Sequence, residues 1–176
     1  MLSRSRGFTI VELLIVIVVI GILAAISVVA FSNVQARAND SSRVSDLASV
    51  KKALSLYKTE NGSFPATQPN PGNSSFEIST DPGFLASINN YTGGKAFEDP
   101  VNSTSKAYWY NRFNAGQYGC PVGAGSYYVF WIKGGMQTQS AARIESGPCP
   151  GQTLFATTPT AGAWTVDSDD YVFYGF

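Results

Sequence analysis

The chain has no histidine among its 176 residues. That removes histidine-ligated metal sites and the Ser-His and Cys-His pairs that activate nucleophiles. Charge is scarce as well: Asp, Glu, Lys and Arg make up 14% of the chain, and twelve basic residues balance twelve acidic ones. Without net charge or a basic stripe, the chain offers no electrostatic footprint for nucleic acid, and no direct nucleic-acid site is expected. No Gly-x-Ser-x-Gly nucleophile elbow occurs. Gly93-Gly94-Lys95 is followed by Ala96 where a phosphate loop needs Ser or Thr. Gly123-Ala124-Gly125 precedes an expected strand, not a helix, so it does not support dinucleotide binding. The chain shows no catalytic constellation, and neither enzymatic activity nor a cofactor is expected.

What the chain does have is a long apolar run. Residues Phe8 to Phe31 read FTIVELLIVIVVIGILAAISVVAF. About 20 apolar residues cross the hydrocarbon core of a bilayer as a helix, and a run apolar on all sides is not an amphipathic helix of a soluble core. Arg4 and Arg6 flank its start, which puts the N-terminus on the cytoplasmic side and the rest outside. Three readings compete. The run is a signal peptide cut near Val28-Val29-Ala30, an uncleaved anchor, or a segment retained after a short leader is removed ahead of it.

Glu12 bears on that choice. A carboxylate in a membrane segment costs a few kcal/mol on insertion scales and tends to be functional. A plain signal peptide or anchor has no use for it. Cleavage between Gly7 and Phe8 supplies a use, because the new α-amine of Phe8 is a cation one turn from Glu12. In an assembly the carboxylate of one subunit can pair with the amine of the next, and an apolar setting makes a missing partner costly. The plain alternative is that Glu12 reaches headgroup water at the interface.

The stretch Gly7-Phe8-Thr9-Ile10-Val11-Glu12-Leu13-Leu14, with its short basic leader and the following Gly21-Ile22-Leu23-Ala24-Ala25-Ile26, resembles the processing site of type IV pilins and pseudopilins. The resemblance implies cleavage after Gly7 by a prepilin peptidase and N-methylation of Phe8. It implies a single-pass precursor in the cytoplasmic membrane with its head outside, then an extracellular or periplasmic filament. It implies as partners further copies of the chain, the inner-membrane assembly machinery and the peptidase. Many such pilins carry proline near the end of the apolar run. Val29 stands there in this chain, so the helix is expected to continue through it. Gly21 and Ala25 are small and four apart, a spacing that permits close helix approach and is also ordinary membrane-helix composition.

Beyond the run, Val44, Leu47, Val50, Leu54 and Tyr57 step by three or four, as one face of a helix does. Asn61-Gly62 and Pro65 supply a stop. A single helix from Phe8 to Glu60, about 80 Å long, is expected. Asn39-Asp40-Ser41-Ser42 are poor helix formers, and a bend there competes with a solvated turn of continuous helix, which is favoured. Asp81-Pro82-Gly83 can open a short helix through Ile88. Strands are expected at Tyr108 to Phe113, Tyr127 to Ile132, Ala141 to Glu145, Trp164 to Val166 and Tyr171 to Tyr174, which are aromatic or β-branched and separated by glycine-rich turns. The fold expected is α+β: a long N-terminal helix, membrane-spanning and then amphipathic, packed on a C-terminal antiparallel sheet of three to five strands, as in pilins. Its parts are a leader (residues 1–7), an apolar helix (8–31), an amphipathic half (32–62) and a β-rich head (63–176).

Cys120 and Cys149 are the only cysteines, both in the part expected outside, where disulfides persist. A structural disulfide between them is favoured over two free thiols, and it resembles the C-terminal disulfide of many pilins. Asp167, Asp169 and Asp170 form an acidic cluster. Oxygen-rich clusters suit calcium, but the run lacks the spacing and glycine of a calcium loop, and a solvated turn between strands is the favoured reading. The alternatives to a pilus subunit are a secreted or membrane-anchored binding domain that forms no filament and a type II secretion or competence pseudopilin.

Overall fold

A computed structural model describes residues 7–68, 75–139, 143–145, 155–156 and 164–176. The chain divides into two compact units, with the boundary between Arg37 and Ala38.

Helix α1 spans Ile10–Asn61 without interruption, including Val29 and Asn39 to Ser42. It stops where the sequence carries a glycine. Gly62 adopts a positive φ of 76° and its N–H donates to the Lys58 carbonyl at 2.8 Å, the αL cap that glycine takes without a Cβ penalty. In the N-terminal unit the apolar side chains from Ile10 to Val34 are exposed all round. This helix is long and apolar enough to cross a membrane.

The head, from Ala38 onward, lays the amphipathic part of α1 on a five-stranded sheet. The strands are β1 (Glu77–Ile78), β2 (Ala107–Phe113), β3 (Tyr127–Lys133), β4 (Arg143–Glu145) and β7 (Tyr171–Gly175), in the order β1-β2-β3-β7-β4. Strands β5 (Phe155–Ala156) and β6 (Trp164–Thr165) pair separately and in parallel. The sheet is mixed, not antiparallel throughout as expected. β1, β2, β3 and β7 alternate in direction, but β4 runs parallel to β7. Residues 146–170 separate those two strands, and so long a connection lifts the antiparallel constraint of a tight hairpin.

Both faces of the sheet are buried. Tyr108, Tyr110, Phe130 and Ile132 pack with Leu47, Val50 and Leu54 of α1. Trp109, Val129, Trp131 and Val172 pack on the other side with Phe76 and Phe155. Two-sided burial explains why the strands read as nearly continuous aromatic and aliphatic runs.

Three local expectations are corrected. Val44, assigned to the buried helix face, is 54% exposed, and Arg43 is buried in its place. The true face is 43, 47, 50 and 54, from which Val44 is turned by about 100°. The short helix expected from Asp81 to Ile88 is instead a 3-10 helix at Ala86–Tyr91. Leu85, with a left-handed φ of 50°, prevents a continuous helix from Asp81. The turn at Asn39 to Ser42 is helical, but Asp40 is not solvated. It is buried and bonded.

Candidate functional site

The processing region is built around a helix start. Gly7, Phe8 and Thr9 lie outside α1, and Phe8 is 90% exposed. The Glu12 carboxylate accepts the Thr9 backbone N–H at 2.8 Å and the Thr9 hydroxyl at 2.7 Å. In return the Glu12 N–H donates to Thr9 Oγ1 at 3.2 Å. These are the reciprocal bonds of a capping box, with Thr9 at N-cap and Glu12 three residues on. The Gly7–Phe8 bond therefore lies two residues ahead of the first helical turn, in exposed chain. Thr9 is the residue that reading for charge alone missed, although the Thr-x-x-Glu spacing was in the sequence. Both of its bonds to the carboxylate use Oε2, which leaves Oε1 without a partner among the described residues.

Farther along the helix, Ser27 and Ser32 return their hydroxyls to the carbonyls of Leu23 and Val29. That satisfies the polar groups of the apolar run locally. Gly21 has open space where a Cβ would stand.

In the head, Cys120 is 4% exposed, and no described cysteine is free. Its expected partner, Cys149, lies outside the described residues. Asp167 and Asp169 sit on the turn before β7, but Asp170 is 1% exposed. Its carboxylate accepts the N–H of Gly134 at 2.6 Å and that of Asp167 at 2.8 Å, tying the end of β3 to the start of β7. Burial raises the Asp170 carboxyl above its ordinary range, and the two N–H donors oppose that rise. Asp170 is thus a backbone staple, while Asp167 stays exposed on the turn between β6 and β7 as expected, and no group of three or more ligand-type side chains that could hold a metal ion occurs among the described residues. Lys95, from the glycine pair that resembled a phosphate loop, faces Asp46 at 2.5 Å.

The strongest electrostatic feature of the head had no signal in the sequence. The Arg43 guanidinium, fully buried, donates to Asp99 through Nε at 2.6 Å and Nη2 at 2.9 Å, and to Asp40 through Nη1 at 3.0 Å. Asp40 also accepts the N–H groups of Gln137 and Thr138 and the Thr138 hydroxyl. Burial works to raise the Asp99 carboxyl, but bonds from Arg43 and from the Val101 N–H outweigh it and hold the group below its ordinary value. The arrangement fastens α1 to two loops and contains no reactive group left over. It is structural.

No curated protein and no solved structure matches the chain. Residues 2–28 match the family model described as the prokaryotic N-terminal methylation motif, so the exposed Gly7–Phe8 bond, the capped helix start and the apolar helix behind it fall within the segment characteristic of type IV pilins and pseudopilins.

Proposed function

We propose that the protein is a structural subunit of a type IV pilus or pilus-like filament, made as a membrane-anchored precursor and cut after Gly7. The observation that carries this reading is the methylation motif over residues 2–28 joined to a helix whose apolar side chains are exposed from Ile10 to Val34. Such a surface needs a bilayer or a bundle of like helices around it. Cleavage frees the Phe8 amine, and the apolar helix passes from lipid into a filament core with the head outside. The contact is heterologous and open, so it propagates. Glu12 serves twice. One oxygen caps its own helix, and the other is placed to meet the Phe8 amine of a neighbouring copy. The N-terminal mass of the protein from its own cells tests the reading. A methylated Phe8 start supports it, and a start at Phe31 replaces it with a secreted domain.

Glu12→Gln is expected to leave processing intact and to abolish or sharply reduce filaments, scored by shearing and electron microscopy. The amide still caps the helix through its carbonyl but carries no charge for the amine. Normal filaments from this variant would remove the proposed role of the acid.

We also propose the Cys120–Cys149 disulfide. Closing that loop contributes roughly 3–4 kcal/mol in the chain-entropy account. Cys120→Ser is expected to lower the melting temperature of the oxidised protein and to leave no further loss on reduction. An unchanged melting temperature would exclude the bond.

A further inference from the structure

Asn-x-Ser/Thr triplets stand at Asn39, Asn61, Asn73, Asn90 and Asn102. This is the acceptor pattern for N-linked sugar, and it calls for an asparagine on the surface of a segment outside the cytoplasm. In a chain rich in Asn, Ser and Thr the triplet by itself selects nothing, so the fold has to. An asparagine that carries a sugar gives up one of its two amide hydrogens and points its nitrogen into solvent.

Three of the triplets fail that condition. Asn39, within α1, donates from Nδ2 to Gln137 Oε1 at 2.9 Å. Asn61, in the last turn of α1, donates from Nδ2 to the Tyr57 carbonyl at 2.9 Å and to the Tyr91 hydroxyl at 3.5 Å. Asn102 is half-buried and closed on Ser79. Its Oδ1 accepts the Ser79 hydroxyl at 2.7 Å, and its Nδ2 donates to the Ser79 carbonyl at 3.1 Å. Asn73 lies outside the described residues.

Asn90 meets the condition. It is exposed, and its side chain has no partner among the described residues. It stands on the 3-10 helix Ala86–Tyr91, where residues three apart lie one above the other. Ile88 and Tyr91 turn inward, Ile88 into the core and Tyr91 onto Tyr57. Ser87 and Asn90 form the exposed outer face. Gly93 and Gly94 follow with positive φ and with open space where a Cβ would stand, so the next turn does not crowd the amide. The Thr92 hydroxyl, third in the triplet, donates to the Asn89 carbonyl at 3.1 Å and lies 3.4 Å from that of Lys95. A transferase has to read that hydroxyl, so transfer takes place before this turn closes, and the folded head then has only to carry the sugar.

We propose that Asn90 is a site of N-linked glycosylation. The donor is a sugar carried on a membrane polyprenyl diphosphate. The Asn90 amide nitrogen bonds to the anomeric carbon, the bond from that carbon to the phosphate oxygen breaks, the diphosphate leaves with the electron pair, and the amide proton passes to a base of the transferase. The proposal rests on the filament reading only for the place of the head outside the membrane.

An endoprotease that cuts before aspartate releases residues 81–98, in which Asn90 heads the single triplet. Mass spectrometry of that fragment, from protein made in its own cells, is expected to show the added mass of one or more sugar residues, placed on Asn90 by electron-transfer fragmentation. Asn90→Gln and Thr92→Ala are each expected to lose the added mass, and Thr92→Ser to keep it, because the triplet needs the hydroxyl. A fragment at its bare mass overturns the proposal. So does an added mass that survives Thr92→Ala, since it would then sit on another group. The two readings fail separately. A methylated Phe8 start with a bare fragment removes the sugar and leaves the filament, whereas a start at Phe31 with sugar on Asn90 does the reverse.

Discussion

Arg43→Ala is expected to destabilise the head by about 3–5 kcal/mol, the range for removing one member of a buried ion pair and leaving the other charge behind. For a unit of this size that is a fall of roughly 10 °C in melting temperature. The size follows from what the alanine leaves. Asp99 keeps its bonds from the Val101 and Asn102 N–H groups but loses two charge-assisted bonds in a site closed to water. Asp40 retains Gln137 and Thr138 but loses its cation. Arg43→Lys should cost less, since it keeps the charge and loses only the fork that meets both Asp99 oxygens. The pH dependence gives a second readout. The Asp99 and Asp40 carboxyls are both held below their ordinary value of 3.8. Groups depressed on folding contribute stability above that value and lose it as pH falls through their folded values. Arg43→Ala should therefore flatten the acid limb of the stability curve, whereas the same loss at pH 7 and pH 3 would contradict the account. Gly135 belongs to the same design, because a Cβ there would stand 2.9 Å from Arg43 Nε.

The buried arginine also marks where sequence reading stops. Leu47, Val50 and Leu54 were legible as a buried stripe because apolar residues at helical spacing leave few alternatives. Arg43 lies on the same stripe, but a charged residue is read as solvated until its partner is known. That partner, Asp99, is 56 positions away. β2, β3 and β7 were legible to within a residue, since each is an aromatic run closed by glycine turns. β1 and β5 have two residues each and carry no periodicity. The parallel placement of β4 depends on a crossover that no local pattern encodes. The N-terminal site shows the opposite balance. Gly7, Phe8 and Glu12 are within six positions, so short-range chemistry was enough to single them out, while the Thr9 cap carried a Thr-x-x-Glu signal that went unweighed.

The capping box also changes how the acid in the apolar run is understood. In the single chain, Glu12 is bonded to Thr9 and is not an idle charge awaiting a partner. A local cap fixes the carboxylate at one place on the helix surface, so a neighbour would meet an oriented group and order less on contact. The same bonds set the helix start after the Gly7–Phe8 bond, so the local chemistry of one turn bears on both the processing and the assembly proposed here.

Gly175→Ala is the other change expected to act strongly, and its cause is steric. Gly175 is paired directly across from Tyr128 in the β3–β7 ladder. The Tyr128 ring lies over it, so a Cβ would fall well inside van der Waals contact of Tyr128 Cε1, Cζ and Oη. The ring cannot step aside cheaply. It is 3% exposed and packs edge-on against Phe64 at 4.8 Å, with Tyr110 and Phe173 on its other sides. Overpacking of this kind costs about 1–3 kcal/mol, and more where no rotamer is open. We expect about 3 kcal/mol or more, measured by denaturant unfolding of the full chain in micelles. A second substitution separates this clash from a backbone effect. Tyr128→Leu removes the ring and is destabilising in the parent, because it leaves a cavity. In the Gly175→Ala background it should cost much less or become favourable, giving a large coupling in the double-mutant cycle. Strict additivity of the two changes would mean that the ring does not rest on the glycine, and the packing assigned to the end of β7 would then be wrong.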